Sequence, residues 1–446
     1  MPDKIKINPR IGWRMIGNEI VTFNCENQQI AIWNETASQL WQMLSNEKDA
    51  NQMISYLNNE YRVDQQQAKK DTLNFLQEAA GMGFINAEST NPNLAIHDID
   101  DGENVLLTIE MKAIKHFIPF AVTFETTYSC NERCIHCYME RNLPSLKLHE
   151  IKSILEQIAQ EGCLFVSFTG GEFFTRPDAL KIVEYASKLH FSIDILSNGT
   201  LINQEIAETL TANPVRRIQI SLYGANSEIH DSITRLRGSF LKTVQAIEIL
   251  KETGIKVEIA FPMMRHNFKE RYAVKQLAES MDCVISPSPI ITARNDGSKD
   301  THSLRLTNGQ MVQFLEDKDF SGLYAGRKPF QDHQFYLGIS NLLEATPCYS
   351  GFNTCAITPS GKVLPCNQLL YEVGDLRKTE FSEIWYNSSG LRYLRGLKIK
   401  DIKKCSVCEN LTYCARCPGL AFLEGGDLLG RSPENCRITK TIKRLY

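Results

Sequence analysis

The chain has 446 residues, a formal net charge of −3, 43% hydrophobic residues and 23% charged residues. At roughly 150 residues per domain this length argues for about three domains and excludes a peptide hormone, a lone binding module or a small disulfide scaffold. The near-balanced charge argues against nucleic acid or another polyelectrolyte as the main partner. The distinctive count is 14 cysteines, eight of them between Cys348 and Cys436. The N-terminus has no apolar core that would make a signal peptide, and no run approaches the ~18 apolar residues of a membrane span, so a cytoplasmic protein is expected. In a reducing compartment, closely spaced cysteines read as metal or cluster ligands rather than disulfides.

In chain order, residues 1–90 read as a small module. Strand patterns at Gly12–Ile16, Glu19–Phe23 and Gln29–Trp33 are separated by Gly17-Asn18 and Glu26-Asn27-Gln28. Three helical patterns follow: Ala37 to Leu44 after the capping Asn34-Glu35-Thr36, Asp49 to Tyr61, and Asp64 to Met82, closing on Gly83. Strands followed by three helices predict a winged-helix-like arrangement. The polar, acidic stretch that follows predicts a linker over 91–118.

Residues 119–335 alternate. Strand-like runs at Ala121–Glu125, Leu164–Phe168, Ser192–Leu196, Arg217–Leu222, Lys256–Phe261 and Cys283–Pro287 are separated by helical patterns at Leu148–Gln160, Ala179–Leu189, Gln204–Leu210, Phe240–Lys251 and Lys269–Ser280. This predicts an α/β fold, a parallel sheet in a partial (β/α)6 TIM-like barrel, with ligands at the C-terminal strand ends. Residues 336–446 hold the dense cysteines and few long apolar runs, so their core is expected to depend on what the thiolates bind. Cys25, Cys163 and Cys283 fall in strand-like sequence and read as packing residues.

Cys130-x3-Cys134-x2-Cys137 directly follows the first barrel strand. Positions i, i+4 and i+7 share one helical face and buried cysteine is a common core residue, which gives a purely structural reading. Against it stand the location at the ligand-binding end of a strand and the polar spacer Asn131-Glu132-Arg133. Three thiolates on a loop can hold three irons of a 4Fe-4S cube and leave the fourth open to another ligand. On Cys130, Cys134, Cys137 and the aromatic Tyr138, the barrel resembles the radical S-adenosylmethionine (SAM) superfamily with its CxxxCxxC motif. The resemblance implies a cluster whose open iron chelates SAM and a 5′-deoxyadenosyl radical as the reactive species, so no side chain is assigned as catalytic.

The pair Gly170-Gly171 before Glu172 ends the second strand; such a pair marks a turn, or a place where backbone approaches a ligand. It resembles the GGE motif of that superfamily, which implies that Gly170, Gly171 and Glu172 hold the SAM ammonium. Ser197 and Asn198 at the third strand end and Ser221 at the fourth resemble family positions that contact SAM, the plain alternative being serines beside a core. Thr234 stands where many relatives place an arginine, and Arg235 comes one residue later. His136 reads as a bystander.

In the C-terminal region, Cys348-x6-Cys355-x5-Gly361-x4-Cys366 precedes Cys405-x2-Cys408-x5-Cys414-x2-Cys417 and then Cys436. By spacing alone, two tetrahedral zinc sites are as good a reading as two clusters. The pattern resembles the SPASM extension of radical SAM peptide-modifying enzymes, with the last spacer one residue shorter. That resemblance implies a nearer auxiliary 4Fe-4S cluster on Cys348, Cys355, Cys366 and Cys417, and a distal one on Cys405, Cys408, Cys414 and Cys436. Three 4Fe-4S clusters per chain are thus expected, with both auxiliary clusters fully ligated.

A winged helix also suggests a DNA reader, but the third helical pattern sets Lys69 and Lys70 against Asp64, Asp71 and Glu78, a poor phosphate-binding surface. On Ile32-Trp33-Asn34-Glu35-Thr36-Ala37, Leu40-Trp41-Gln42-Met43-Leu44, Tyr61-Arg62-Val63-Asp64 and Gly83-Phe84-Ile85, the module resembles the recognition element of ribosomal peptide maturases, related to the peptide chaperone PqqD. This implies capture of a precursor-peptide leader as an added strand on the edge Gln29–Trp33, with the third helix as the other wall. The joint expectation is a radical SAM enzyme that installs an intramolecular crosslink in the core peptide, a thioether favoured over a carbon–carbon bond. A flavodoxin or ferredoxin would reduce it, and neither nucleic acid nor membrane is expected as a partner. The rivals are a protein-modifying enzyme like the anaerobic sulfatase maturases and an iron–sulfur DNA-binding sensor.

Overall fold

The computed structural model describes residues 5–86, 102–140, 144–321 and 341–445. In the N-terminal module β1 (Lys6–Ile7), β2 (Ile11–Ile16), β3 (Glu19–Asn24) and β4 (Ile30–Trp33) precede α1 (Glu35–Ser45), α2 (Ala50–Tyr61), α3 (Gln65–Gly81) and β5 (Ile85–Asn86). Polar side chains start the helices: Asn34 accepts from Ala37 N, Asp49 and Gln52 cap reciprocally, and Asp64 accepts from Gln67 N. The sheet order is β2-β3-β4, which leaves β4 at an edge among the described residues. Alternation divides that strand between two cores. Ala31 and Trp33 face the helices, where Trp33 packs against Trp41, Phe75 and Phe84, while Ile30 and Ile32 face the other way.

The stretch expected as a linker is helical in its second half. α4 (Gly102–His116) packs Ile109 and Ala113 with Val21, Phe23 and Ile30 of the module and Leu164 and Phe165 of the barrel, and Lys112 pairs with Glu19. Val105, Leu106, Ile109 and Ala113 form a helical stripe that the acidic residues just before it obscure. Residues 91–101 of that stretch and the expected boundary at 335 lie outside the described residues.

The six expected barrel strands are β6 (Ala121–Thr127), β7 (Phe165–Gly170), β8 (Ser192–Ser197), β9 (Val215–Ser221), β10 (Val257–Pro262) and β11 (Val284–Ser288), all parallel. The connecting helices are α5 (Leu148–Gln160), α6 (Ala179–Lys188), α7 (Gln204–Thr211), α8 (Ser227–Thr234), α9 (Ser239–Glu252) and α10 (Arg271–Ser280), followed by α11 (Asn308–Glu316). Only α8 was not anticipated among the barrel helices. Cys25, Cys163 and Cys283 are buried, as expected of packing residues.

The C-terminal region is not a separate body held by its thiols alone. Its first strand, β12 (Thr354–Ile357), lies parallel against β6, and β13 (Lys362–Leu364) and β14 (Gly374–Asp375) continue the same nine-stranded sheet antiparallel. Phe381, Ile384, Trp385 and Leu391 then complete the barrel core. Apolar burial therefore stabilises this region together with whatever the cysteines bind.

The N-terminal module is docked on the opposite end of the barrel. Arg14 donates from Nε to Cys163 O (2.7 Å) and from Nη2 to Leu189 O (2.8 Å), and Arg10 donates to Thr211 O (3.0 Å) and Val215 O (3.1 Å). Trp13 N donates to His190 O (3.0 Å), and Gly12 abuts Ser192 so closely that a Cβ would lie 2.8 Å from its nitrogen. Every one of these partners sits at or beside the N-terminal end of β7, β8 or β9. Among the described residues no helix is long and apolar enough to cross a membrane.

Candidate functional site

At the other end of the barrel, β6 runs into a loop that carries Cys130, Cys134 and Cys137 and is not helical, so the shared helical face does not form. The loop is held by its backbone. Arg133 N donates to Thr234 O (2.9 Å) and Ile135 N to Ile233 O (3.0 Å), so the last carbonyls of α8 anchor the loop. Arg294 donates to Cys137 O (2.6 Å) and Ile135 O (3.4 Å) while paired with Asp300. Sequence reasoning missed Arg294, and no local motif marks it.

The three thiols form one wall of a cavity of about 300 Å³ that is also lined by Tyr138, Gly170, Gly171, Ser197, Asn198 and Ser221. The anticipated residues from four strand ends thus converge on one volume, with Gln219, Thr292 and Gln368 as lining residues not anticipated. Asn198 Nδ2 donates to Asn131 Oδ1 (2.9 Å), and Asn131 Nδ2 to Thr200 Oγ1 (2.7 Å), which ties the third strand end to the cysteine loop.

Glu172 departs from expectation. It is fully buried and is not among the cavity-lining residues; its carboxylate accepts from Ser197 Oγ (2.9 Å), Asn198 N (2.7 Å) and Phe174 N (3.1 Å). Burial pushes this carboxyl above its ordinary range, opposed by those hydrogen bonds. Its carboxylate braces the third strand end against the turn that follows the second. The two glycines also serve the protein itself: Gly170, at φ +140°, would place a Cβ 2.0 Å from Thr127 O. Gly171 N and Glu172 N donate to Thr127 O and Ser129 O at 2.7 and 2.9 Å, pinning the start of the cysteine loop. His136 lines the cavity against the Tyr223 ring, its pKa lowered to about 4 by burial.

In the C-terminal region, Cys405, Cys408, Cys414 and Cys436 line a single cavity of about 580 Å³, which brings together the set expected for the distal cluster. Cys348, Cys366 and Cys417 lie within electrostatic reach of one another: burial pushes the Cys366 thiol up to about 11, with Cys348 and Cys417 adding to the shift. Cys355 is not with them. It sits on β12 in the barrel core beside Cys163. Among the described residues no three His, Cys, Asp or Glu side chains converge on a single-ion position, while Cys130, Cys134 and Cys137 line one cavity and Cys405, Cys408, Cys414 and Cys436 another. Donors that are all thiols, arranged around spaces of this size, fit iron–sulfur clusters.

Comparison with known proteins matches three family models along the chain: the radical SAM superfamily over residues 124–278, an iron–sulfur cluster-binding domain (SPASM) over 348–418, and the coenzyme PQQ synthesis protein D over 19–85. The chain is 30% identical over 331 residues to the mycofactocin maturase MftC of Mycobacterium tuberculosis, covering 71% of this chain and 82% of that protein. It is 27% identical over 335 residues to the AdoMet-dependent heme synthase of Methanosarcina barkeri, covering 71% and 95%. The fold is similar to that of Streptococcus suis SuiB bound to its precursor peptide SuiA, with a TM-score of 0.58 at 15% identity over 97% of this chain and 99% of that one.

Proposed function

We propose, since the chain belongs to the radical SAM/SPASM peptide maturases with a PqqD-like recognition element, that it captures a ribosomally made precursor peptide by its leader and installs an intramolecular crosslink in the core, a thioether before a carbon–carbon bond. The observation that carries this reading is the pairing, in one chain, of a strand edge in a PqqD-like module with a thiol-walled cavity at the far end of the barrel.

With a 4Fe-4S cluster and SAM bound, the cavity would be supplied with a 5′-deoxyadenosyl radical able to abstract hydrogen from an unactivated carbon. Cys130, Cys134 and Cys137 would hold that cluster. Ser197, Asn198, Ser221 and Tyr138 would orient SAM, the backbone of Gly170 and Gly171 would flank it, and Glu172 would keep the strand ends in place. Cys405, Cys408, Cys414 and Cys436 would hold the distal auxiliary cluster, and Cys348, Cys366 and Cys417 would contribute to the nearer one, three clusters in all. For each crosslink the core would lose two hydrogens, one as an atom and one as a proton with an electron, and the C-terminal thiols would hold the group that takes up that electron. A flavodoxin or ferredoxin in the cytoplasm would supply the starting electron.

Leader capture supports this reading physically. The hydrogen bond from Asn24 N to Gln29 O (2.8 Å) sets the ladder phase so that Ala31 and Trp33 bond to β3, and Ile30 and Ile32 turn their backbone groups outward. A leader strand added there raises the local concentration of its core, so the barrel can accept varied core sequences. The test is reconstitution with SAM, reductant and the short peptides encoded next to the gene. A peptide product lighter by two hydrogens per crosslink is expected; cleavage of SAM with every such peptide unchanged in mass overturns the proposal.

A further inference from the structure

Between the radical cavity and the C-terminal thiols lies a buried network of charge to which the chemistry above gives no part. Its centre is Arg305, whose side chain is 11% exposed. Nε donates to the backbone oxygen of Ile291 (2.8 Å), a residue that lines the cavity. Nη2 donates to Glu424 Oε1, and Nη1 stands 3.6 Å from Glu434 Oε2. The side chains of Glu424 and Glu434 are 2% and 3% exposed. Arg437 closes the network, donating from Nε to Glu434 Oε2 (3.0 Å) and from Nη1 to Asn308 Oδ1 (3.2 Å). Two arginines thus balance two glutamates away from water, as buried charges require.

The helices that carry these carboxylates also carry thiols. Cys417 caps the helix Pro418–Gly425, accepting from Leu420 N at 3.4 Å. Glu424 stands on the last turn of that helix, roughly 10 Å further along at 1.5 Å per residue. Near the start of the helix Gly419 is pressed against Gln368, where a Cβ would lie 2.3 Å from its carbonyl oxygen, and Gln368 lines the cavity. The helix therefore meets the cavity wall at both ends, through Gln368 at one and through Arg305 and Ile291 at the other. Glu434 and Cys436 share the next helix, Pro433–Leu445. One guanidinium joins the cavity wall, the helix that Cys417 caps and the helix of Cys436. Its flat fork holds three partners at fixed angles, which a lysine cannot do.

We propose that Arg305 is a positioning residue for electron removal: by spanning Ile291, Glu424 and Glu434 it fixes the separation between the radical cavity and the groups held by the two C-terminal thiol sets. The inference rests on the reading of those cysteines as cluster ligands and of a core peptide as substrate. Each crosslink requires one electron to leave the core together with a proton, and electron transfer weakens steeply with distance. A loosened helix slows that step while hydrogen abstraction continues. Apolar packing of equal volume would stabilise the fold as well as a buried ion network does, so what the network adds is a fixed register between the elements it joins.

The test combines Arg305→Met with Glu424→Met in the full chain, because Arg305→Met alone would strand a buried carboxylate whose Oε2 has no hydrogen-bond partner among the described residues. The double variant is expected to fold and to keep iron and sulfide at the parent level. With Cys130→Ala, Cys134→Ala and Cys137→Ala added, so that only auxiliary sites hold iron, the magnetic interaction between the two reduced auxiliary EPR signals is expected to weaken. With the cysteine loop intact, and with SAM, reductant and the peptides encoded next to the gene, 5′-deoxyadenosine formed per crosslink is expected to rise several-fold. Arg305→Lys, which keeps the charge without the fork, should follow the double variant. Either measure at the parent value in the double variant overturns the inference, as does a lysine that restores both. Loss of iron from the double variant overturns it too, since the network would then be structural alone. A parent protein that cleaves SAM and leaves every peptide unchanged overturns the proposed function, while the EPR measure still decides on Arg305. A background protein that binds no iron and sulfide overturns both.

Discussion

Gly171 and Ser129 are in backbone contact so close that a Cβ on Gly171 would lie 2.2 Å from the Ser129 carbonyl oxygen. Ser129 directly precedes Cys130, so the paired glycines set where the first thiol stands as well as leaving room for a ligand.

Gly171→Ala should therefore displace the cysteine loop, with an overpacking cost of about 1–3 kcal/mol. The expected outcome is a protein that keeps its auxiliary iron but loses about four irons per chain and nearly all 5′-deoxyadenosine formation. Iron and sulfide analysis beside a SAM-cleavage assay checks it; normal iron with normal cleavage would show that the loop tolerates the shift.

Glu125 gives a pH dependence. It is buried on β6, accepts from Tyr128 Oη at 2.7 Å, and burial pushes its carboxyl up to about 7, partly offset by that hydrogen bond. A folded pKa above the unfolded one means the folded state holds the proton more tightly. Stability from this group is thus fully present below about 4.5 and is lost as pH rises toward 7, a difference on the order of 3 kcal/mol. Glu125→Gln, which keeps the acceptor without the charge, should raise the melting temperature by a few degrees at pH 8 and change it little near pH 4.5. Melting curves across that range check the sign, and equal shifts at both pH values would count against the buried charge.

Ile32→Pro removes one outward N–H from β4 without touching the bonds to β3. The module should keep its helical circular dichroism while leader affinity falls by about tenfold, the worth of a lost strand hydrogen bond and its neighbours. Fluorescence anisotropy with labelled leader peptides checks it. Unchanged affinity would move the leader site off this edge.

Arg14→Ala cuts two hydrogen bonds to barrel carbonyls and the stacking of its guanidinium 4.7 Å over the Phe191 ring. The buried carbonyls of Cys163 and Leu189 lose their partner, at a cost of about 2–3 kcal/mol. Hydrogen exchange should quicken in β2 and α4 while leader binding persists and crosslinking slows. Unaltered exchange there would mean the module is docked mainly by its apolar face.

Much of this was legible in the sequence because period and spacing are local. The barrel strands and most helices announce themselves through alternating patterns, and Cys130, Cys134, Cys137 and the strand-end Ser197, Asn198 and Ser221 meet because parallel strands bring their C-terminal ends together. What failed needed long-range information. Four residues, Thr354 to Ile357, are too few to announce a strand, so the burial of Cys355 in the barrel core was hidden. The surroundings of Glu172 were equally hidden, since only the fold shows that its carboxylate accepts from Ser197, Asn198 and Phe174. Arg294 acts on carbonyls more than 150 residues away, and nothing near it in the chain hints at that.

The docking of the N-terminal module on the N-terminal strand ends sets a ruler. A six-residue strand such as Ser192–Ser197 spans about 20 Å at ~3.3 Å per residue, and the module and the thiol-walled cavity lie beyond its two ends. A precursor anchored at β4 must bridge at least that distance, so the first residue it can present to the cavity lies no fewer than about six extended residues past the anchored strand. The proposed leader site thus sets a lower limit on spacing, and a precursor shortened below that span would bind and go unmodified.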